Sequence, residues 1–318
     1  MNTGKLAVEL ADIQAAAGRI TDHIHRTPLI HSQQLNRFCD SELYFKCENL
    51  QKVGAFKARG ATNAVFAMAE DQVQAGVATH SSGNHAAALA RAASLRGVAA
   101  HIVMPVNAPQ VKKDATLAYG GRIVECEATL AARESTLEEV VAATGARVVH
   151  PYDNADVIAG QGTVGLELLE QLENMDVVVL PVGGGGLLAG VAVAVKSLCP
   201  GIEVVAAEPA GADDAFRSFG LGQLVPQTDP QTIADGLLTS LGQRNFPIIQ
   251  RYVDSIVTVE EETIVRAMQL QWSRLKSVVE PSGAVSFAAV LDHPERFRGR
   301  RVGVVISGGN LDLSRFPW

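Results

Sequence analysis

The chain has 318 residues, 47% of them hydrophobic and 5% aromatic, with a formal net charge of −7. This length supports one substantial core or two smaller ones. The acidic balance, the lack of a Lys- or Arg-rich block and the few aromatic residues argue against a nucleic-acid or anionic-membrane partner. Because the cysteines form no C-x-x-C pair and no apolar stretch reaches membrane-spanning length, we expect a cytoplasmic protein with reduced thiols. These cysteines are Cys39, Cys47, Cys126 and Cys199.

Short apolar runs alternate with segments of helical periodicity from about residue 77 onward. Predicted strands lie at 77–80, 100–104, 122–126, 147–150, 176–182, 202–207, 255–259 and 301–306. Predicted helices lie at 86–95, 111–119, 130–144 and 157–172, and another ends near 198. This alternation indicates βαβ units in largely parallel sheets. We predict two α/β units: a large one from residues 1–71 and 152–318, and a small mobile one inserted at 72–151.

Four consecutive glycines, Gly183, Gly184, Gly185 and Gly186, separate a buried strand from a helix. Glycines let backbone N–H groups approach a phosphate, and a helix N-terminus favours negative charge, so this loop predicts an anion site. Two identities of the bound anion remain open. A dinucleotide would use an acidic residue about twenty positions on, where Glu208 stands, although the pattern is not G-x-G-x-x-G. The phosphate of a pyridoxal cofactor would need only the loop.

Lys57 lies between Gly54 and Gly60 and is flanked by Ala55, Phe56 and Ala58. A lysine at a helix start is usually a solvated surface charge. Apolar surroundings can instead desolvate the amine, lower its pKa and make it a nucleophile toward an aldehyde.

Two further polar turns follow predicted strands, where ligands collect in open α/β sheets. The turn at 81–85 contains two serines, a glycine and an asparagine, more than a helix cap needs, and it could seat a carboxylate. The turn at 307–310 places Ser307 at the end of the last strand. An acidic cluster around Glu208 and Asp214 offers oxygen ligands for a cation, although such clusters are usually solvated.

As an ordered set, these segments resemble the fold type II pyridoxal-phosphate enzymes of the serine racemase and serine/threonine dehydratase family, which includes β-hydroxyaspartate dehydratases. The lysine motif of the family stands at 55–61, its S-S-G-N-H motif at 81–85, its glycine loop at 183–186 and its S-G-G-N motif at 307–310. The segments 158–163 and 234–236 also match family signatures. The resemblance covers nearly the whole chain and implies a two-domain, tryptophan synthase β-like fold with open, mostly parallel sheets flanked by helices.

The resemblance also implies a role for each motif. Lys57 would bind pyridoxal 5'-phosphate covalently and move the Cα proton of the substrate. The ring would contact Phe56, Asn84 and Ser307, and the phosphate would lie on Gly183, Gly184, Gly185, Gly186 and Leu187. The neutral hydroxyl of Ser307 would leave the pyridine nitrogen unprotonated, which favours β-elimination over transamination. Glu208, Ala212 and Asp214 match residues that bind Mg²⁺, Ca²⁺ or Mn²⁺ in the racemase-like branch.

The substrate that the resemblance implies is a small β-hydroxy amino acid: L-serine, L-threonine or 3-hydroxyaspartate. Its carboxylate would be seated by Ser81, Ser82, Gly83, Asn84 and His85, and Ser240 matches the members that use serine. Arg133 is a candidate for a second substrate carboxylate, and the Pro317-Trp318 ending is similar to β-hydroxyaspartate dehydratases.

We predict a dehydratase that releases a 2-oxo acid and ammonia, acts without nucleic acid or membrane, and forms a homodimer. Two alternatives stay open. The first is a serine/aspartate-type amino acid racemase that uses the same site: Ser82 matches the acid/base of serine racemases, whereas Tyr152 departs from the Asn of vertebrate-type racemases. A dinucleotide-binding oxidoreductase is the alternative from a different class.

Overall fold

The computed structural model describes residues 5–313, so Pro317 and Trp318 lie outside the described residues. The strands are β1 Leu29–His31, β2 Glu42–Cys47, β3 Val77–His80, β4 Ala100–Pro105, β5 Gly121–Cys126, β6 Arg147–Val148, β7 Val177–Pro181, β8 Glu203–Pro209, β9 Ser255–Val259 and β10 Arg301–Ile306. The helices are α1 Leu10–Ile20, α2 Gln33–Cys39, α3 Lys57–Ala67, α4 Glu70–Val73, α5 Asn84–Leu95, α6 Gln110–Ala118, α7 Leu130–Thr144, α8 Ala155–Gln171, α9 Gly186–Leu198, α10 Asp214–Leu221, α11 Asn245–Tyr252, α12 Glu261–Leu270, α13 Pro281–Asp292 and α14 Pro294–Phe297.

A six-stranded sheet has the order β1-β2-β10-β7-β8-β9, and only the β1–β2 pair is antiparallel. Its central strand β7 is apolar and buried along its whole length, as expected for a strand covered on both faces. One face packs on α8 and α9 and the other on α12 and α13. The sheet therefore has two cores, one on each side.

A second sheet of four parallel strands has the order β5-β4-β3-β6 and is built from residues 77–148. Helix α5 covers one of its faces and shares a core with α3, while α7 covers the other. These residues fall within the predicted small unit at 72–151. Its boundaries and its mobility stay predictions.

The strands β1 and β2 were missed by the sequence analysis, which found no strand before residue 77. Strand β2 reads poorly as a buried strand because it contains Glu42 and Lys46. Lys46 is nevertheless fully buried, since its amine is paired with Glu167 and bonded to the Thr27 carbonyl. The predicted strand 147–150 is shorter in the structure, and α5 begins two residues earlier than predicted.

Helices α3, α8 and α9 cross so closely that only glycine fits at their contacts. A Cβ on Gly160 of α8 would lie 2.7 Å from the Arg59 carbonyl oxygen and from the Gly60 Cα of α3. A Cβ on Gly190 of α9 would lie 2.3 Å from the Ile158 carbonyl oxygen. These contacts explain the glycines in the 158–163 segment and fix α3, which begins at Lys57.

Within residues 5–313, no helix is both long enough and apolar enough to cross a bilayer.

Candidate active site

Four of the sequence motifs meet at one edge of the large sheet, where β2, β7 and β10 end. The lysine segment is bound to the turn after β10: the Phe56 N–H donates to the Ser307 carbonyl at 3.0 Å. The Gly309 N–H donates to the Gly54 carbonyl at 2.9 Å, and Ala55 pairs with Gly308. The carboxyl ends of parallel strands are where α/β folds bind ligands, so this edge is the candidate active site.

The Lys57 amine is half-buried, and it donates a hydrogen bond to the Pro151 carbonyl at 2.7 Å. It lies 5.1 Å from the centroid of the Phe56 ring and 6.0 Å from that of Tyr152. Desolvation lowers the pKa of Lys57 to about 8. A substantial neutral fraction near neutral pH is what a nucleophilic lysine requires.

A buried ion network anchors the helix that carries Lys57. The Arg59 guanidinium binds the Glu48 carboxylate with two hydrogen bonds of 2.7 Å and the Glu167 carboxylate with bonds of 2.7 and 2.9 Å. Lys46 approaches Glu167 at 2.6 Å. Two bidentate pairs fix both the position and the rotation of the Arg59 side chain. Arg59 therefore holds the start of α3 against α8 and beneath the active site.

The glycine loop leaves its backbone N–H groups available. Within the described chain, the N–H groups of Gly183, Gly184 and Gly185 find no acceptor. The Gly184 carbonyl points away from this side and accepts from the Asn245 amide at 2.6 Å and from the Gly242 N–H at 3.1 Å. Unpaired N–H groups at the start of α9 form a cradle suited to a phosphate.

Two glycines of this loop are required by its own geometry. Gly185 has φ +88°, a left-handed conformation that favours glycine. A Cβ on Gly184 would lie 2.3 Å from the Tyr152 ring, which packs flat against the loop. The Tyr152 hydroxyl bonds to Thr239. Tyr152 thus lines the cradle on the side that faces Lys57.

Asn84, Glu280 and Asn310 form a polar network next to Lys57. The Asn84 amide N–H donates to Glu280 Oε1 at 2.8 Å, and Asn84 Oδ1 accepts from the Asn310 amide at 2.8 Å. The Asn310 amide also donates to the Val53 carbonyl at 2.7 Å. The orientation of Asn84 is therefore set by partners on both sides.

The turn formed by Ser81, Ser82 and Gly83 is half-buried and leaves open space next to Gly83. A Cβ on Gly83 would meet nothing within 4 Å. The His85 side chain behaves differently, because it is buried and its Nε2 bonds to the Val149 carbonyl at 3.1 Å. Burial, together with the nearby Lys57 charge, lowers the pKa of His85 to about 3. The turn can offer backbone N–H groups and hydroxyls, while the His85 ring belongs to the core.

The remaining predicted substrate residues differ in availability. Burial lowers the pKa of His80, just before the turn, and Arg133 on α7 lies close enough to lower it further, against the opposite effect of Glu134. Its Nε is buried and has no hydrogen-bond partner in the described residues. The Ser240 hydroxyl instead accepts from the Gln227 N–H at 2.9 Å. Arg133 can therefore take a ligand without breaking an existing bond at that nitrogen, whereas the Ser240 hydroxyl already bonds to the backbone of Gln227.

Ser307 is 3% exposed, and its hydroxyl donates a weak hydrogen bond of 3.4 Å to the Ser282 carbonyl. Phe56 lies in the same layer, immediately before Lys57. Both residues, which the sequence analysis expects to contact the cofactor ring, lie at the sheet edge described above.

Glu208 and Asp214 form a second, buried acidic site that follows β8. Glu208 is fully buried and accepts from the N–H groups of Ala215 at 3.1 Å and Phe216 at 2.8 Å. Burial, and the neighbouring Asp214, raise the pKa of Glu208 to about 9, and burial raises that of Asp214 to about 6. Neither carboxylate forms an ion pair with Lys or Arg among residues 5–313, and Asp214 Oδ1 has no hydrogen-bond partner there.

Three residues of this region were missed as site residues by the sequence analysis: Glu280, Asn245 and Asn310. Asn310 stood inside a recognised motif without a role. Glu280 precedes Pro281, Ser282 and Gly283, a helix-start signal that could have marked the position. Glu280 and Asn84 are 196 positions apart in the sequence, so their contact has no local signal.

Comparison with known proteins agrees with this geometry. A family model described as pyridoxal-phosphate dependent enzyme matches residues 20–308. The chain is 50% identical over 307 residues to β-hydroxyaspartate dehydratase of Paracoccus denitrificans, covering 96% of this chain and 98% of that protein. It superimposes on maize serine racemase with a TM-score of 0.94 and 44% identity, covering 97% and 95% of the two chains. The threonine deaminase of T.th. gives a TM-score of 0.92 and 45% identity, covering 96% and 100%.

The predicted fold class is confirmed by these neighbours, and the dinucleotide-binding oxidoreductase is ruled out as the family. The unpaired N–H groups of the glycine loop suit the phosphate of a cofactor. The desolvated Lys57 amine suits its aldehyde, and the Ser307 hydroxyl suits its pyridine nitrogen. The chain belongs to the pyridoxal-phosphate-dependent enzyme family, and its cofactor is pyridoxal phosphate.

Proposed function

We propose that the protein catalyses β-elimination from a small β-hydroxy amino acid, releasing a 2-oxo acid and ammonia. The observation that carries the proposal is the Lys57 amine, desolvated and placed between the Phe56 and Tyr152 rings beside the glycine cradle. Family membership supports the same chemistry, since the similar proteins include a β-hydroxyaspartate dehydratase and a threonine deaminase.

The residues that hold the cofactor are proposed as follows. Gly183, Gly184, Gly185, Gly186 and Leu187 bind the phosphate, Lys57 takes the aldehyde carbon, and Asn84 bonds the ring hydroxyl. Ser307 faces the ring nitrogen, and its hydroxyl leaves that nitrogen without a charged partner. When bound, pyridoxal phosphate acidifies the Cα–H of an amino acid joined to it and so makes loss of a β-substituent possible.

The protein's own groups then act on the proton and the carboxylate. The Lys57 amine removes the Cα proton as a general base, a task suited to a lysine whose pKa is near 8. Ser81, Ser82, Gly83 and Asn84 seat the substrate carboxylate at the N-terminus of α5. The half-buried position of the turn limits competing water.

Among β-hydroxy amino acids, we favour 3-hydroxyaspartate. It carries a second carboxylate, and the Arg133 Nε is a buried donor without a partner in the described residues. The β-hydroxyaspartate dehydratase of Paracoccus denitrificans is a similar protein over almost its full length. Serine and threonine offer Arg133 no anionic group.

The test compares L-serine, D-serine, L-threonine and both diastereomers of 3-hydroxyaspartate, with 2-oxo acid and ammonia as the measured products. We expect the highest kcat/KM for one hydroxyaspartate diastereomer. Arg133→Met should lower that value by about 10- to 100-fold, the loss of one charged contact, and leave the value for serine within about twofold. Release of ammonia from none of these substrates would contradict the proposal.

A second candidate function is amino acid racemisation at the same site. Ser82 favours it, because this hydroxyl lies in the half-buried turn and offers a second proton-transfer group besides Lys57. Ser82→Ala should abolish formation of the opposite enantiomer and preserve 2-oxo acid release. Enantiomer formation by the wild type without any 2-oxo acid would overturn the dehydratase in favour of the racemase.

We also propose that Glu208, Asp214 and the Ala212 carbonyl bind a divalent cation, preferably Mg²⁺. Two buried carboxylates without a cationic partner among residues 5–313, one of them with an unbonded oxygen, have the chemistry of a hard-cation site. Among the described residues, no group of three or more His, Cys, Asp or Glu side chains is arranged to hold a metal ion, so carbonyl and water oxygens would complete the shell.

A further inference from the structure

Glu280 is a carboxylate inside the active site to which no step above gives a role. It is 5% exposed, and both of its oxygens are used: Oε1 accepts from the Asn84 amide at 2.8 Å and Oε2 from the Asn310 N–H at 3.1 Å. The two residues that it contacts belong to two different motifs. Glu280 therefore joins the turn before α5 to the turn after β10.

The backbone around Glu280 is shaped to admit this carboxylate. A Cβ on Gly308 would lie 2.2 Å from Glu280 Oε1, so any larger residue there would displace the carboxylate. The Glu280 N–H donates to the Gly308 carbonyl at 3.2 Å. A Cβ on Gly283 would lie 2.4 Å from that same carbonyl oxygen. Gly283 and Gly308 together let the start of α13 approach the turn closely.

We propose that ionised Glu280 is a positioning residue, which orients the Asn84 amide toward the ring hydroxyl of the cofactor. The inference rests on the contact proposed above between Asn84 and that hydroxyl. One amide N–H of Asn84 is bound by Glu280 and its oxygen is bound by Asn310, so the second N–H is the group left for the cofactor. Loss of the Glu280 bond frees the amide to rotate.

The ionised and protonated forms of Glu280 differ in what they can hold. The carboxylate accepts from both Asn84 and Asn310, whereas the acid keeps one strong acceptor and places an O–H donor against one of the two N–H groups. Burial and, after it, the nearby Asp235 raise the pKa of Glu280 to about 8, against the Asn84 bond, Lys112 and the Asn310 bond, which lower it. The orientation of Asn84 is thus coupled to pH just above neutrality.

The experiment follows the absorption spectrum of the bound cofactor in the holoenzyme between pH 6.5 and 9.5, together with kcat and KM. In the wild type we expect a spectral transition near pH 8, with turnover rising as Glu280 ionises. Glu280→Gln has the same size but can accept from only one of the two N–H groups. It should retain the covalent cofactor, lose the transition and reduce kcat about tenfold with little change in KM.

Two surface variants test the ionisation without altering Glu280. Asp235 and Lys112 form an ion pair and influence Glu280 in opposite directions. Asp235→Asn should move the transition to lower pH and Lys112→Gln to higher pH. These two variants test whether ionisation of Glu280 causes the spectral transition, even if Glu280→Gln does not fold.

The outcomes separate this inference from the proposed function. Absence of cofactor on Lys57 would defeat the proposed function. A cofactor that is attached and active, with a spectrum that is unchanged between pH 6.5 and 9.5 or equally pH-dependent in Glu280→Gln, would overturn the role of Glu280 alone. Shifts of the same sign in Asp235→Asn and Lys112→Gln would overturn it as well.

Discussion

The chemistry of Lys57 depends on the few groups around its amine. The Pro151 carbonyl accepts one hydrogen bond, and the Phe56 and Tyr152 rings replace water on two sides. Desolvation favours the neutral amine, which is the form that attacks an aldehyde and the form that removes a proton. Local burial, and not a neighbouring charge, is the cause of the lowered pKa.

Because burial lowers the pKa of Lys57, we can predict how the rate of cofactor attachment to the apoprotein depends on pH. The rate of covalent attachment of pyridoxal phosphate should rise with pH and level off above about 8, since the amine becomes neutral there. An ordinary lysine would continue to gain rate toward pH 10.4. Stopped-flow absorbance of apoprotein mixed with the cofactor measures this profile, and a midpoint above 10 would show that the amine is solvated.

A second prediction at this scale concerns Glu208 and Asp214. Added Mg²⁺ should raise the melting temperature of the wild type, because the cation compensates two buried carboxylates that have no cationic partner in the described chain. Glu208→Gln should abolish this rise. Differential scanning calorimetry with and without chelator provides the measurement, and an equal Mg²⁺ effect in wild type and variant would place the cation elsewhere.

The residues that meet at the candidate site were predictable from sequence where a motif is contiguous, and their roles stay predictions. Lys57, Asn84 and Gly183 to Gly186 stand in such motifs, and the structure brings them to one edge. Glu280 was not predictable in this way, because its role arises from contacts with Asn84 and Asn310 that depend on the tertiary fold. The His85 ring shows the reverse case, in which a motif residue turns into the core.

At the scale of elements, the position of α3 depends on buried charges and on close helix contacts. Arg59 is fully buried between Glu48 and Glu167, which are contributed by the segment after β2 and by α8. The network is fully hydrogen-bonded at the guanidinium, so removal of one member leaves the others uncompensated.

Arg59→Ala should therefore destabilise the fold by about 3–5 kcal/mol, the usual cost of breaking a buried ion pair. Arg59→Lys should recover only part of this loss, because a single ammonium cannot bind two carboxylates bidentately. Urea unfolding of the apoprotein measures both. Equal stability of Arg59→Ala and wild type would mean that the network contributes nothing to the fold.

The helix crossings provide a matched pair of substitutions. Gly160→Ala places a methyl group 2.7 Å from backbone atoms of α3 and should destabilise by about 1–3 kcal/mol through overpacking. Gly18→Ala, in α1, meets nothing within 4 Å and should stabilise by about 0.5–1 kcal/mol. Thermal unfolding of the two variants should show shifts of opposite sign; shifts of the same sign would exclude close packing as the reason for Gly160.

Element prediction from sequence succeeded where apolar runs were continuous and failed where charges were buried. Strands β7, β8 and β10 are apolar along most of their length and were predicted with nearly correct bounds. Strand β2 was missed because the partners of Lys46, which make its burial possible, are 121 and 125 residues away.

For the whole molecule, the alternation of strands and helices was sufficient to predict the parallel sheets. It could not give the strand order, in which β10 is inserted between β2 and β7 and brings Ser307 next to Phe56. That insertion creates the active site from segments about 250 residues apart. The homodimer, the cytoplasmic location and the mobility of the small unit stay predictions.

The central claim is that this enzyme uses Lys57 to hold its cofactor, and borohydride reduction followed by peptide mass spectrometry tests it most directly. We predict that the purified yellow protein bleaches, and that the mass of the reduced cofactor is found on the peptide containing Lys57. The peptide containing Lys46, a buried lysine that is already paired with Glu167, should carry none. Label on any other lysine, or a protein that binds no pyridoxal phosphate under any preparation, would contradict the account.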